Sequence, residues 1–156
     1  MKVIEQFIEV EAPLSTVYDQ WTQFEDFPCF MDSIVEVRQV DDKRQHWKAS
    51  IAGVEKEWDA EIFEQIPDQR IAWRSMSGAK NSGMVNFAEI TPELTRVTLR
   101  LSYEPEGIIE DLAGMLGLMA GRVADDLARF KEFIEMRSAP SGAWRGEIHG
   151  REVVPV

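Results

Sequence analysis

The chain has 156 residues, 44% hydrophobic and 29% charged, the composition of one folded domain rather than a disordered chain. Its 28 acidic and 17 basic side chains give a formal charge of −11 with no offsetting Lys/Arg cluster, so its surface repels phosphate backbones and nucleic acid is not an expected partner. A single cysteine, Cys29, excludes an intrachain disulfide, and no stretch reaches the ~20 apolar residues of a membrane span. The N-terminus, Met1-Lys2-Val3-Ile4-Glu5, turns acidic at once and lacks a signal core, so the expected setting is cytoplasmic.

Val3 to Val10 is rich in apolar and β-branched residues and predicts a first strand. Ala12-Pro13-Leu14-Ser15 switches the chain into a helix, with Pro13 near its first turn and Val17, Trp21 and Phe24 on its apolar edge. Phe27-Pro28 breaks that helix, and a second short helix is expected around Pro28 to Met31. Cys29 stands there among apolar neighbours and is expected as a small buried hydrophobe.

From Ser33 the period changes to two. Ile34, Val35 and Val37 lead into the turn Asp41-Asp42-Lys43, after which Trp47, Ala49 and Ile51 alternate with polar residues. Gly53 marks the next turn, and Trp58, Ala60 and Ile62 alternate with Glu57, Asp59 and Glu61. Pro67-Asp68-Gln69 turns the chain again, before Ile71, Trp73 and Ser75 on one face of a strand. Ser77 to Gly83 reads as a polar, mobile loop; Val85 and Phe87 follow, then the turn Thr91-Pro92-Glu93, then Val97, Leu99, Leu101 and Tyr103. Successive strands joined by short turns imply an antiparallel meander and an α+β fold.

A long amphipathic helix is predicted from Ile108 to Arg137, with apolar residues at Ile108, Leu112, Leu116, Met119, Val123, Leu127, Phe130 and Ile134. Gly114, Gly117 and Gly121 interrupt it at ~1 kcal/mol each relative to alanine, which implies close packing against the sheet or room for a ligand. Residues 138–156 are expected as an extension to a domain spanning residues 1–137. Its Trp144 is expected to dock on this chain or on a neighbouring copy, so the sequence admits a homodimer.

Chemistry-bearing motifs are sparse. His46 and His149 lack metal-ligand spacing, no histidine stands beside a serine or Cys29 in a nucleophile motif, and no phosphate loop or dinucleotide fingerprint occurs. No metal, cofactor or catalytic residue is therefore expected. Glu55, Glu57, Asp59 and Glu61 fall on one strand face, opposite Trp58, and read as a solvated acidic row that Lys48, Lys56, Arg74 and Arg100 are placed to pair. Trp47, Trp58, Trp73, Phe87 and Tyr103 share the opposite face; with Met115 and Met119 from the helix they are the expected lining of an apolar pocket.

The run Val17-Tyr18-Asp19-Gln20-Trp21-Thr22-Gln23-Phe24-Glu25-Asp26-Phe27-Pro28-Cys29-Phe30-Met31 resembles the opening of polyketide cyclase/dehydrase-like proteins of the START-like (SRPBCC) superfamily, which includes coenzyme Q-binding START-like proteins. Glu57-Trp58-Asp59-Ala60-Glu61-Ile62, Arg70-Ile71-Ala72-Trp73-Arg74-Ser75 and Thr95-Arg96-Val97-Thr98-Leu99 are similar to the same subfamily. The resemblance implies a helix-grip: a bent seven-stranded antiparallel sheet wrapped around the C-terminal helix, with two short helices after the first strand. It also implies a cup that binds lipids, quinones or polyketides and less often catalyses. The expected function is thus non-catalytic binding or carriage of a hydrophobic small molecule. The alternative is a cyclase or dehydratase working in the same cavity through Tyr103, Arg74 and an acid from Glu57 to Glu61. A third reading, a partner-binding module, would use the acidic face and the Trp144 tail.

Overall fold

The computed structural model describes residues 2–51, 53–78, 80–103, 112–137 and 139–155, and the side chains of these except residues 2, 51 and 112–119. Strand β1 (Lys2–Val10) leads through Pro13 into helix α1 (Leu14–Trp21) and a 3-10 turn (Phe24–Cys29). Six strands follow: β2 (Ile34–Gln39), β3 (Arg44–Ile51), β4 (Val54–Ile66), β5 (Arg70–Gly78), β6 (Asn81–Thr91) and β7 (Leu94–Tyr103). Helix α2 (Leu112–Arg137) precedes two short strands, β8 (Glu147–His149) and β9 (Glu152–Val154).

The main sheet runs β1-β7-β6-β5-β4-β3-β2, all neighbours antiparallel, which is the expected α+β helix-grip. Among the described residues nine strands rather than seven take part, because the hairpin β8–β9 pairs with β4 through Glu64↔His149 and Gln65↔Ile148. The expected turns hold for local reasons. Asp41 Oδ1 accepts from the backbone N–H groups of Lys43 and Arg44 at 3.0 and 2.8 Å, and Asp68 adopts φ 63°, a left-handed conformation that a short polar side chain tolerates.

Two further expectations fail. Ser77 to Gly83 is not a long loop: β5 continues to Gly78 and β6 begins at Asn81. Its glycines answer geometric demands instead of loosening the chain. Gly78 turns at φ +82°, where a Cβ would lie 2.3 Å from the Glu57 carbonyl oxygen, and a Cβ on Gly83 would lie 2.2 Å from the Trp73 ring. Cys29 is exposed, not buried. In a 3-10 turn every third side chain eclipses, so Phe24, Phe27 and Phe30 share the inward face and Cys29 falls outside it.

Helix α2 buries Val123, Leu127, Phe130 and Ile134, the second half of its predicted stripe. Along β1 it is tied by Lys131 Nζ donating to the Glu9 carbonyl (2.9 Å), Glu11 N donating to Glu135 (2.7 Å) and Gln6 Nε2 donating to the Ala120 carbonyl (3.3 Å). Residues 108–111, and the side chains of Leu112, Leu116 and Met119 at the start of the stripe, lie outside those described. Gly121 is exposed and a Cβ there would meet nothing within 4 Å, so close packing does not explain this glycine.

The tail is integrated with the domain. Ile148 is fully buried and Trp144 is half-buried against the core. Trp144 N donates to Thr22 Oγ1 (3.1 Å), Ser141 N to Gln20 Oε1 (2.8 Å), and Ser141 Oγ to Asp26. Arg145 pairs with Asp19 and with Asp68 (2.7 Å) while its guanidinium lies 5.3 Å over the Tyr18 ring. Trp144 therefore docks on its own chain.

Candidate functional site: the concave face of the sheet

Residues directly opposed across antiparallel strands point to the same side. The row Ile4↔Leu101↔Gly83↔Trp73↔Ile62 crosses five strands, and Ile8↔Val97↔Phe87 runs parallel to it. Trp47↔Trp58 and Tyr103↔Asn81 complete this face. The five aromatics expected as lining thus share the concave side. Met115 and Met119 belong to α2, but their side chains lie outside those described.

These five aromatics divide into two groups. Phe87 is 7% exposed, its ring 5.3 Å from Tyr18 and 6.1 Å from Trp21. Trp47, also 7% exposed, meets Phe24 and Phe27 edge-on, and its Nε1 donates to Gln45 Oε1 at 3.1 Å. Both belong to a closed aromatic core in which Trp21 contacts Phe27 and Phe130 at 5.4 and 5.0 Å, and Phe30 contacts Phe130 and Phe133. Trp58, Trp73 and Tyr103 are only half-buried. The Trp58 ring lies parallel to Trp47, centroids 6.0 Å apart and 6° between planes, so one tryptophan pair joins the closed core to the half-buried part of the face.

Buried polar groups follow the same division. Tyr18, fully buried, accepts a hydrogen bond from Gln65 Nε2 at 3.1 Å, and burial pushes its hydroxyl up to about 12. The Tyr103 hydroxyl is also raised by burial, so it remains a neutral O–H donor at physiological pH. On α2, burial pushes Asp126 up to about 6 against the opposing charge of Arg129, 3.4 Å away. Arg129 also holds Asp32 at 3.1 Å, joining α2 to the loop before β2.

The acidic row lies on the opposite, convex face. Glu55, Glu57 and Asp59 are exposed, and Glu61, though 8% exposed, sits between Arg44 (3.9 Å) and Arg74 (3.6 Å). His46 Nδ1 meets Asp59 at 2.7 Å and Nε2 meets Glu57 at 3.2 Å, while Ser77 Oγ donates to the other Asp59 oxygen at 2.7 Å. Those bonds, Asp59 first, raise the His46 pKa. Of the expected pairings, Lys48 reaches Glu57 at 3.9 Å and Arg74 reaches Glu61. Arg74 and the acids of the cyclase alternative are therefore separated by the sheet from Tyr103. No group of His, Cys, Asp and Glu side chains among the described residues is arranged to hold a metal.

Sequence reasoning missed the tail hairpin and a surface cleft of about 460 Å³ between the 3-10 turn, the β2–β3 turn and the tail, floored by Phe24, Gln65 and Trp144. The alternation Glu147-Ile148-His149, with Gly150 at φ +63° before Arg151-Glu152-Val153, was the available hairpin signal. Carboxylates on the cleft rim already serve the fold: Glu25 accepts from Gln39 N at 3.0 Å, and Asp41 caps its own turn.

Known proteins share this architecture. The sequence pattern of the family described as polyketide cyclase / dehydrase and lipid transport matches residues 10–132. An uncharacterised 17.2 kDa protein of Streptomyces lincolnensis is 43% identical over 149 residues, covering 95% of this chain and 99% of that protein. A START superfamily protein from Mycobacterium smegmatis superposes with a TM-score of 0.74 at 17% identity, covering 86% of this chain and 98% of the other. The aromatase/cyclase Zhui from a Streptomyces species gives 0.72 at 16% identity, covering 91% and 98%. At those identities the two structures share the fold alone. No helix among the described residues is long and apolar enough to cross a membrane. With its helix-grip sheet and a matching sequence pattern over most of its length, the chain belongs to the polyketide cyclase/dehydrase and lipid transport family.

Proposed function

We propose that the chain binds or carries a hydrophobic small molecule between the concave sheet face and α2, without chemistry of its own. The fold class is one that holds apolar ligands. The observation that supports a carrier is the separation of residue types by the sheet. Trp58, Trp73 and Tyr103 stand half-buried on the concave side, whereas Arg74, Glu57, Asp59 and Glu61 stand on the convex side. Burying ~300 Å² of ligand surface at ~25 cal/mol per Å² contributes roughly 7 kcal/mol before association costs, sufficient for useful affinity without specific contacts. Isoprenoid quinones, fatty acyl chains and aromatic polyketides fit this description.

The second reading, a cyclase or dehydratase, draws on the family description and on the aromatase/cyclase neighbour. Tyr103 is its one proposed proton-transfer group on the concave face. Orientation of a reactive chain can accelerate cyclisation with few functional groups. Native mass spectrometry of protein isolated from its own host separates binding from emptiness. A co-purifying apolar mass, released by organic solvent and recovered unchanged on incubation with the protein, supports carriage. Recovery as a dehydrated or cyclised product favours the enzyme, and bare protein that takes up no apolar ligand contradicts both.

A further inference from the structure

The geometry points to Trp58 and Tyr103 as the residues that select the ligand, by donating hydrogen bonds to carbonyl or other acceptor oxygens on it. This rests on the concave face being the ligand site, and it narrows the ligand to an oxygenated apolar molecule rather than a bare hydrocarbon chain.

Trp58 Nε1 and Tyr103 Oη are both covered from solvent and have no hydrogen-bond partner among the described residues. A buried donor without an acceptor is a standing energetic penalty that an incoming acceptor relieves. In the closed core the fold itself supplies an acceptor to the equivalent indole donor, Gln45 Oε1 to Trp47 Nε1, and gives the Tyr18 hydroxyl a partner in Gln65 Nε2, which donates to it. Trp21 Nε1 and Gln45 Nε2 are unpartnered there too, but both residues are 1% exposed, and Trp21 is enclosed by Phe27, Phe87 and Phe130. Trp58 and Tyr103 differ in belonging to half-buried side chains on the open part of the face.

Register places the two donors at one end of the cup. Trp58 pairs with Gly78 and Tyr103 with Asn81, the residues on either side of the β5–β6 turn. Between their strands Trp73 lies against Gly83, where no Cβ intervenes. An indole N–H can only donate and a protonated tyrosine hydroxyl is able to donate, so an acceptor oxygen on the ligand is the one group that satisfies both. A site with buried donors discriminates against an analogue lacking the matching oxygen far better than an apolar wall discriminates by shape.

The test is equilibrium dialysis of the full chain against acetylnaphthalene and ethylnaphthalene, matched probes differing in one carbonyl oxygen. The wild type is expected to hold the ketone about tenfold more tightly. Trp58→Phe and Tyr103→Phe keep an aromatic ring at each position and remove the donors; together they are expected to bring the ketone-to-hydrocarbon affinity ratio to about one, while the smaller ring at position 58 weakens both probes alike. A preference that survives the double substitution, or a wild type that binds both probes equally, overturns the assignment and leaves the cup intact as a site. Failure of the wild type to bind either probe removes the cup and the assignment with it. Thermal melts accompany each variant; should Trp58→Phe not fold, Tyr103→Phe, which loses one oxygen atom, decides alone by its ketone-to-hydrocarbon ratio.

Discussion

At one end of the concave face Trp21, Phe27, Phe87 and Phe130 close ring against ring, sealed by α1, the 3-10 turn, the second half of α2 and the tail. Toward the β5–β6 turn Trp58, Trp73 and Tyr103 project from the same face and remain half-buried. Residue type does not distinguish these regions, since both are walls of tryptophan, tyrosine and aliphatic residues. What differs is the covering element. The closed end is packed core, and under the proposed function the half-buried end is the part that meets the ligand. Trp47 stacked on Trp58 is the seam between them.

The largest effect should come from cutting into the closed end. Trp21→Ala removes a side chain that is 1% exposed and is expected to cost about 3–5 kcal/mol in urea unfolding. Trp58→Ala should cost less than half as much, because solvent already reaches part of that side chain. Equal losses would mean that the open end is as tightly packed as the core. Gly83→Ala comes next: its methyl group would enter the Trp73 ring, so the indole must swing away, at about 1–3 kcal/mol and with a red shift in tryptophan emission.

Gly121→Ala works in the opposite direction. The position is open, so the substitution should stabilise α2 by up to about 1 kcal/mol. If the glycine serves helix movement over the cup, probe exchange slows as stability rises. Unchanged exchange would assign it no such role.

The smallest effect lies on the convex face. His46, raised by its bonds to Asp59 and Glu57, contributes stability that is fully present below the unfolded value of about 6.5 and is lost as pH climbs through the higher folded value. Thermal melts from pH 5.5 to pH 9 should show a shallow fall in wild type that His46→Gln flattens, with ligand affinity unaltered. A change in affinity would couple the two faces of the sheet.

Strand periodicity carried the fold: Trp58-Ala60-Ile62 alternating with Glu57-Asp59-Glu61 declares which face is concave before any tertiary contact exists. The stripe Val123, Leu127, Phe130 and Ile134 was equally legible, because a helical period needs no partner to be visible. Non-local demands were hidden. Gly83 looked like a loop residue since its requirement comes from Trp73 on the neighbouring strand. The hairpin β8–β9 looked like a tail because three-residue strands owe their order to pairing with β4. For the site, alternation sorted the five aromatics onto one face but could not separate Trp47 and Phe87, which the small helices cover, from Trp58, Trp73 and Tyr103.

The central claim is tested most directly by titrating wild type and Trp73→Ala with a neutral apolar fluorophore such as N-phenylnaphthylamine, whose binding is indifferent to the −11 formal charge. The account predicts saturable binding at one site in the wild type and an affinity about tenfold weaker in the variant, roughly 1.4 kcal/mol, with the melting transition retained. Binding of the same strength to both folded proteins would take Trp73 out of the site, and no saturable binding to the wild type would contradict an apolar ligand cup in this protein.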